Sequence, residues 1–223
     1  MNDYISQEKE RVRLRIKHSL LFPVFFILLI WLMFFLKEYG GIKMYQWGIY
    51  PLQTRGLKGI LLSPLVHSSY SHLISNTVPL FVLMWSIFYF YRDLAYKIFI
   101  FSYIFSGIWV WFGARDAWHI GASGLVYAFA AFVFLSGILR KRKELMALAL
   151  VVVFLYGDLI WGMFPMKKDT DISFEGHLLG ALAGVILAIF YKKKGPQKIE
   201  IKWEDDEIEE LETEYEKKNI NDN

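Results

Sequence analysis

The sequence predicts an all-α, multi-pass membrane protein with six spanning helices. Of its 223 residues, 55% are hydrophobic and 18% are aromatic, and the apolar residues fall in long blocks instead of the periodic stripes of soluble helices. A spanning helix needs about 20 mostly apolar residues, and the chain contains six blocks of suitable length. These blocks are Leu20–Leu36, Leu73–Tyr91, Leu94–Phe112, Ala122–Leu139, Leu145–Phe164 and Phe174–Tyr191.

The first block is interpreted as a retained helix and not as a secretory signal. It follows a long polar start, and no small-residue cleavage site comes after it. The connection that follows, about residues 37–71, is unusually long for a link between helices and carries Trp47, Pro51 and several apolar residues. We expect a folded loop that lies at the membrane interface.

The distribution of basic residues predicts the orientation. Lysine and arginine precede the first block and follow the second, fourth and sixth blocks, which favours both termini on the cytoplasmic side. The expected location is a bacterial inner (plasma) membrane. The formal net charge of +3 reflects this anchoring and gives no indication of nucleic-acid binding. The residues concerned are Arg11, Arg13, Arg15, Lys17, Arg92, Lys97, 140–143 and 192–194.

Composition divides the chain into three parts. Residues 1–19 form a basic cytoplasmic arm, and residues 20–192 form the six-helix membrane domain. Residues 193–223 form a charged cytoplasmic tail with too few apolar residues to build a core, so we expect it to be disordered or to form a short solvated helix.

Three short segments carry residue types that together point to one chemistry. Each lies where an apolar block meets its flank. A serine, a histidine and hydrogen-bond donors are the groups needed to cleave a peptide bond by nucleophilic attack, and the absence of cysteine excludes a cysteine nucleophile. The segments are His67-x4-His72-x3-Asn76, Gly121-Ala122-Ser123-Gly124 and His177-x2-Gly180-x3-Gly184.

Helix geometry predicts that the three segments lie at one depth. At 1.5 Å of rise per residue from the cytoplasmic ends, Asn76, Ser123 and His177 lie roughly 22, 24 and 21 Å up their helices. In a hydrocarbon core about 30 Å thick, all three lie several ångströms below the outward surface. His72 is one turn shallower than Asn76 on the same helix face.

Taken together, the segments resemble the signature of the rhomboid family of intramembrane serine proteases. The resemblance extends from about Gly56 to Gly184 and includes the order of the six helices. It implies a six-helix rhomboid-like bundle and an acyl-enzyme mechanism that requires no cofactor and no metal. In that family pattern Ser123 matches the nucleophile and His177 matches the general base, without a carboxylate partner.

Other roles follow from the same resemblance. His72 and Asn76 match donors of the oxyanion hole, together with the backbone N–H of Ser123. Tyr127 matches the aromatic residue against which the base packs, and His67 matches a histidine that supports the neighbouring loop. Four glycines are expected to let the serine turn and the last helix approach closely. They are Gly121, Gly124, Gly180 and Gly184.

The partners implied are membrane lipid and single-span membrane proteins, cleaved at or just inside the outward interface. A substrate helix hides its carbonyl groups, so a segment with small or helix-breaking residues is the expected target. The alternative is a catalytically silent rhomboid-like protein that binds membrane clients. Such a protein should lack the serine or the histidine, and Ser123 and His177 are both present.

Simpler interpretations exist for each residue. A single membrane serine or histidine is more often a packing or hydrogen-bonding group than a catalytic one. A zinc site at His67, His72 and His177 is disfavoured because the chain contains no His-Glu-x-x-His pattern. His119 is predicted to be a solvated loop residue, and Glu175 is predicted to lie at the aqueous rim.

Overall fold

The structure, a computed structural model, describes residues 2–164 and 173–197. Most of the predicted charged tail lies outside these ranges. Within them the regular elements are helices, and the only β-type pairing is an isolated bridge between Ile49 and His119. The helices are α1 (Asn2–Glu38), the one-turn α2 (Gly59–Leu62), α3 (Tyr70–Phe90), α4 (Ala95–Gly113), α5 (Ser123–Arg140), α6 (Lys143–Tyr156) and α7 (Phe174–Phe190).

Each of the six predicted apolar blocks coincides with one of the six long helices. Four of them, α1, α3, α4 and α5, are long and apolar enough to cross a membrane, and α7 is a shorter apolar helix. The fifth block differs from its prediction because the α-helix ends at Tyr156 and continues as a 3-10 helix, Gly157–Met163. The change occurs at Gly157, and glycine is a poor α-helix former.

Helix α1 begins 18 residues before the predicted block, at Asn2 instead of Leu20. The basic arm is therefore a polar continuation of the helix, which a search for apolar residues cannot detect. Arg15 fixes this part to α3, since its Nη2 donates to the Tyr89 carbonyl at 2.9 Å and its guanidinium lies 4.5 Å from the centre of the Tyr89 ring. Trp85 Nε1 also donates to Ser19 Oγ at 3.0 Å.

Helix α5 lies in the centre of the bundle and packs most closely against α7. Leu125, Phe129 and Phe132 of α5 are fully buried, as expected of a helix with neighbours on several sides. At its far end, Arg140 donates hydrogen bonds to three carbonyl groups in the turn that follows α7, those of Tyr191, Lys192 and Lys194, at 2.6–2.8 Å. A cation is favourable there because the carboxyl end of a helix carries a partial negative charge.

The long loop between α1 and α3 is folded, as predicted. It contains α2 and three short 3-10 helices, and it buries Met44, Ile49 and Val66. Leu52 N donates to the Trp111 carbonyl at 3.0 Å, which attaches the loop to the end of α4. Its expected position at a membrane interface stays a prediction.

Candidate active site

The turn before α5 presents Ser123 as the first residue of that helix. Gly121 has a φ of +104°, in the region that favours glycine. A Cβ atom at Gly121 would lie 2.6 Å from His72 Nε2, so the close approach of the His72 ring also requires glycine. Gly121 N donates to the Ser63 carbonyl at 2.9 Å, which attaches the turn to the long loop.

The first turn of α7 presents His177 to Ser123. Ser173 caps this helix, because its Oγ accepts from Gly176 N at 3.1 Å. His177 Nε2 lies 2.9 Å from Ser123 Oγ, within normal hydrogen-bonding distance. The side chains of Ser123 and His177, 54 residues apart in sequence, therefore meet at the amino ends of two neighbouring helices.

A backbone carbonyl fixes the tautomer of His177. The ring Nδ1 lies 2.8 Å from the carbonyl oxygen of Gly162, and because a carbonyl can only accept, Nδ1 carries the hydrogen. Nε2 is then the unprotonated nitrogen and can accept the hydroxyl hydrogen of Ser123. The role of Gly162 could not be predicted from the sequence, since every residue has a backbone carbonyl.

Tyr127 holds the plane of the His177 ring. The two rings are stacked with their centroids 4.2 Å apart and their planes 10° apart. Tyr127 lies one turn after Ser123 on α5, so one helix carries both the hydroxyl and the aromatic surface on which the imidazole rests. The imidazole is thus oriented by a stacked ring and a carbonyl oxygen.

His72 and Asn76 face a cavity of about 470 Å³ beside Ser123. Asn76 Nδ2 donates one hydrogen to the His72 carbonyl at 2.9 Å, which leaves its second hydrogen available. His72 Nδ1 lies 3.1 Å from Ser68 Oγ; when that hydroxyl donates, His72 Nε2 carries a hydrogen and is a donor. The cavity lining includes His72, Asn76, Ser123, Tyr127 and His177.

His67 lies behind these groups, in the loop before α3. It is almost fully buried, and its Nε2 accepts from Ala122 N at 3.5 Å. Its ring lies edge-on to that of His72, with the centroids 5.0 Å apart. Burial is the main cause that lowers the pKa of His67 to about 3, so the residue stays neutral and supports the turn before Ser123.

His67, His72 and His177 do not form a zinc ligand set. Both ring nitrogens of His177 are already within hydrogen-bonding distance of Ser123 and Gly162. Within residues 2–164 and 173–197, no group of three or more histidine, aspartate or glutamate residues is arranged to hold a metal ion.

The prediction that His119 is solvated is wrong. Only 4% of this residue is exposed, and both ring nitrogens have partners, Ser173 Oγ at 2.6 Å and the Arg115 carbonyl at 3.0 Å. Glu175 pairs with Arg115 at 3.3 Å, and its side chain is 12% exposed. Sequence spacing could not reveal these contacts because α7 reaches His119 only through the tertiary fold.

The four predicted glycines lie where helices or loops touch. A Cβ atom at Gly180 would overlap the carbonyl oxygen of Gly124, and one at Gly184 would overlap that of Ala128. Helices α5 and α7 are therefore in backbone contact on the side of the bundle that carries Ser123 and His177.

Comparison with known proteins gives a consistent family assignment. The Rhomboid domain model matches residues 54–194. An uncharacterized protein of Mycobacterium bovis and one of Mycobacterium tuberculosis are each 34% identical over 177 residues, which cover 73% of this chain and 71% of the relative. An uncharacterized protein of Mycobacterium leprae is 34% identical over 150 residues, or 63% of this chain and 59% of the relative.

The family match covers more than half of the chain, and it includes α3, α5 and α7, on which the predicted site residues lie. Together with the apolar helices, it shows a multi-pass integral membrane protein. This chain is a member of the rhomboid family.

Proposed function

We propose that this protein is an intramembrane serine endopeptidase that cleaves transmembrane segments of membrane proteins near the outward interface. The observation that carries the proposal is the 2.9 Å contact between Ser123 Oγ and His177 Nε2, made with the imidazole in the tautomer that can accept a proton. A serine becomes nucleophilic when such a base is within hydrogen-bonding reach.

The reaction proceeds in two halves. Ser123 Oγ attacks the substrate carbonyl carbon while His177 Nε2 takes the hydroxyl proton, which gives a tetrahedral intermediate. The resulting imidazolium then protonates the leaving amine, and the C–N bond breaks to leave an acyl-enzyme on Ser123. Water attacks that ester with His177 again as base, which releases the carboxylic acid and restores the hydroxyl.

Donors beside Ser123 stabilise the negative oxygen of the intermediate. His72, Asn76 and Ser123 all line the cavity, and the donors they offer are the second hydrogen of Asn76 Nδ2, His72 Nε2 and the backbone N–H of Ser123. The amino end of α5 adds a favourable dipole, because its first N–H groups have no partner within the helix. One oxyanion-hole donor typically contributes about 100-fold or more in rate.

Access to the site limits the type of substrate. The carbonyl groups of an intact transmembrane helix are all hydrogen-bonded within the helix, so the segment must unwind before Ser123 can reach one. A cavity of about 470 Å³ accepts a short extended stretch of chain, in keeping with single-span substrates that carry small or helix-breaking residues.

Cleavage of a single-span model protein in proteoliposomes tests the proposal. The wild type should release two fragments, and Ser123→Ala and His177→Ala should release none. Ser136→Ala is the matched control, because Ser136 is a buried serine on the same helix, 13 residues from the site, and it should cleave normally. A wild type that binds several such proteins without cleaving any would instead favour the catalytically silent alternative.

A further inference from the structure

His119 links the loop before α5 to the first turn of α7. Its backbone forms the isolated bridge with Ile49, in which Ile49 N donates to the His119 carbonyl at 2.9 Å and His119 N donates to the Ile49 carbonyl at 2.8 Å. Its side chain reaches Ser173 Oγ at 2.6 Å. Ser173 is the residue that caps α7, one turn before His177, whereas His119 lies four residues before Ser123.

The partners of the His119 ring determine its tautomer. Nε2 faces the Arg115 carbonyl at 3.0 Å, and because a carbonyl only accepts, Nε2 carries the hydrogen. Nδ1 must therefore accept, and its partner Ser173 Oγ must donate. That hydroxyl also accepts from Gly176 N at 3.1 Å, so a continuous relay runs from Gly176 N–H through Ser173 and His119 to the Arg115 carbonyl.

This relay uses every hydrogen-bonding capacity of a neutral His119. We propose that His119 is a positioning residue of the protease, which accepts the Ser173 hydroxyl hydrogen and so holds the first turn of α7, with His177, against the turn that carries Ser123. The inference rests on the proposed function for its kinetic consequences, but the structural relay itself is independent of catalysis. Displacement of a catalytic base by about 1 Å is enough to cost about 100-fold in rate.

Burial of His119 keeps the relay in its neutral form. Burial is the main cause that lowers the pKa of His119, whereas the Arg115 carbonyl and the Glu175 carboxylate raise it and the Arg115 guanidinium lowers it. The charged groups that face His119 are Arg115 from the same loop and Glu175 from α7. Ile49, which pairs with the His119 backbone from the long loop between α1 and α3, carries no charge. At neutral pH the imidazole is therefore uncharged and its Nδ1 can accept.

A simple helix cap makes a different prediction from the relay. A cap requires only an oxygen that accepts from Gly176 N, and aspartate supplies one as well as serine does. The relay also requires a hydroxyl hydrogen, which threonine has and an aspartate carboxylate lacks. Ser173→Thr and Ser173→Asp therefore separate the two roles at one position.

The kinetic test measures kcat and KM of the full-length protein in proteoliposomes between pH 5 and pH 8. Ser173→Thr should stay close to the wild type. At pH 8, Ser173→Asp should lose about tenfold or more in kcat with KM little changed, and it should recover relative to the wild type at lower pH, where protonated His119 can donate to the carboxylate. Equal kcat and equal pH profiles for Ser173→Asp and the wild type would overturn the proposal.

A second variant provides a readout that does not depend on activity. His119→Phe keeps a planar, slightly larger ring and removes both nitrogens, so amide hydrogen exchange at residues 174–180 should be faster than in the wild type, while exchange in α3 should be unchanged. Unchanged exchange in α7 would overturn the proposal even if Ser173→Asp failed to fold. An inactive wild type with faster exchange in His119→Phe would count against the proposed function alone.

Discussion

At the residue scale, the candidate site consists of two side chains, Ser123 and His177, and the backbone carbonyl of Gly162. Ser123 and His177 were predicted from the sequence, whereas the Gly162 carbonyl that orients the base was found only in the structure. A carbonyl fixes the tautomer without placing a carboxylate in an apolar setting, where an unpaired charge is expensive. In the proposed mechanism, the carbonyl therefore takes the place of a third, acidic side chain.

Asn76 provides a direct test of the oxyanion hole. Asn76→Ala removes one donor from the cavity wall and should lower kcat by about 100-fold, on the order of 3 kcal/mol, with KM little changed. The measurement is steady-state cleavage of a single-span substrate. Ser86→Ala is the control, since Ser86 is buried on the same helix and bonds to its own backbone. A decrease in kcat of less than about twofold would show that Asn76 is not a donor of the oxyanion hole.

The lowered pKa of His67 predicts that the stability of the protein depends on pH. Its folded-state pKa of about 3 is lower than the ordinary value of 6.5, so between these values the unfolded chain binds a proton that the folded protein does not. The free energy of unfolding is therefore unaffected by this titration above pH 6.5. Between pH 6.5 and about pH 3 it falls by up to about 1.4 kcal/mol for each unit by which the pH decreases.

Thermal unfolding in detergent at pH 7 and pH 5 measures this effect. The wild type should lose more stability between the two values than His67→Gln, because glutamine does not titrate. Equal losses in the two proteins would show that His67 is not the group responsible.

His119 illustrates why part of the site could not be predicted. A single histidine in a loop has no periodic or spaced partner, so solvent exposure was the natural expectation. Its partner Ser173 lies 54 residues away, and only the packing of α7 against the loop brings the two together. Ser123 and His177 are equally distant in sequence but were identified because each belongs to a segment that matches a family pattern.

At the element scale, the contact between α5 and α7 brings His177 to Ser123. The positions of all six long helices followed from their apolar blocks. Apolar blocks did not predict the polar start of α1 or the 3-10 helix after Tyr156. The length of an apolar block carries no information about polar helical turns or about the point at which an α-helix becomes a 3-10 helix.

Gly180→Val tests the backbone contact. The new side chain would overlap the Gly124 carbonyl and move α7 away from Ser123, so cleavage should decrease at least tenfold and stability by roughly 1–3 kcal/mol. Gly113→Val is the matched control, since a Cβ atom at Gly113 meets no other atom within 4 Å. The contact is not required for function if both variants cleave at the wild-type rate.

At the scale of the whole molecule, the three site segments lie at one end of the bundle. The amino ends of α3, α5 and α7 and the long loop share this end, whereas Arg140 and the carboxyl end of α7 lie at the other. The distribution of basic residues predicts that the second end is cytoplasmic, and the site would then face outward.

Cysteine labelling tests this orientation directly, because the natural chain has no cysteine and single-cysteine variants need no other change. A membrane-impermeant maleimide should label Lys43→Cys in intact cells with an accessible inner membrane. It should label Lys193→Cys only after permeabilisation. The reverse pattern would place the site on the cytoplasmic side.

The most direct measurement of the central claim is fluorophosphonate labelling of the purified protein, with the modified residue identified by mass spectrometry. The wild type should carry one adduct on Ser123, and Ser123→Ala should carry none. His177→Ala should react far more slowly, because the hydroxyl loses its base. An adduct that persists in Ser123→Ala, or labelling of His177→Ala at the wild-type rate, would contradict a serine nucleophile activated by this histidine.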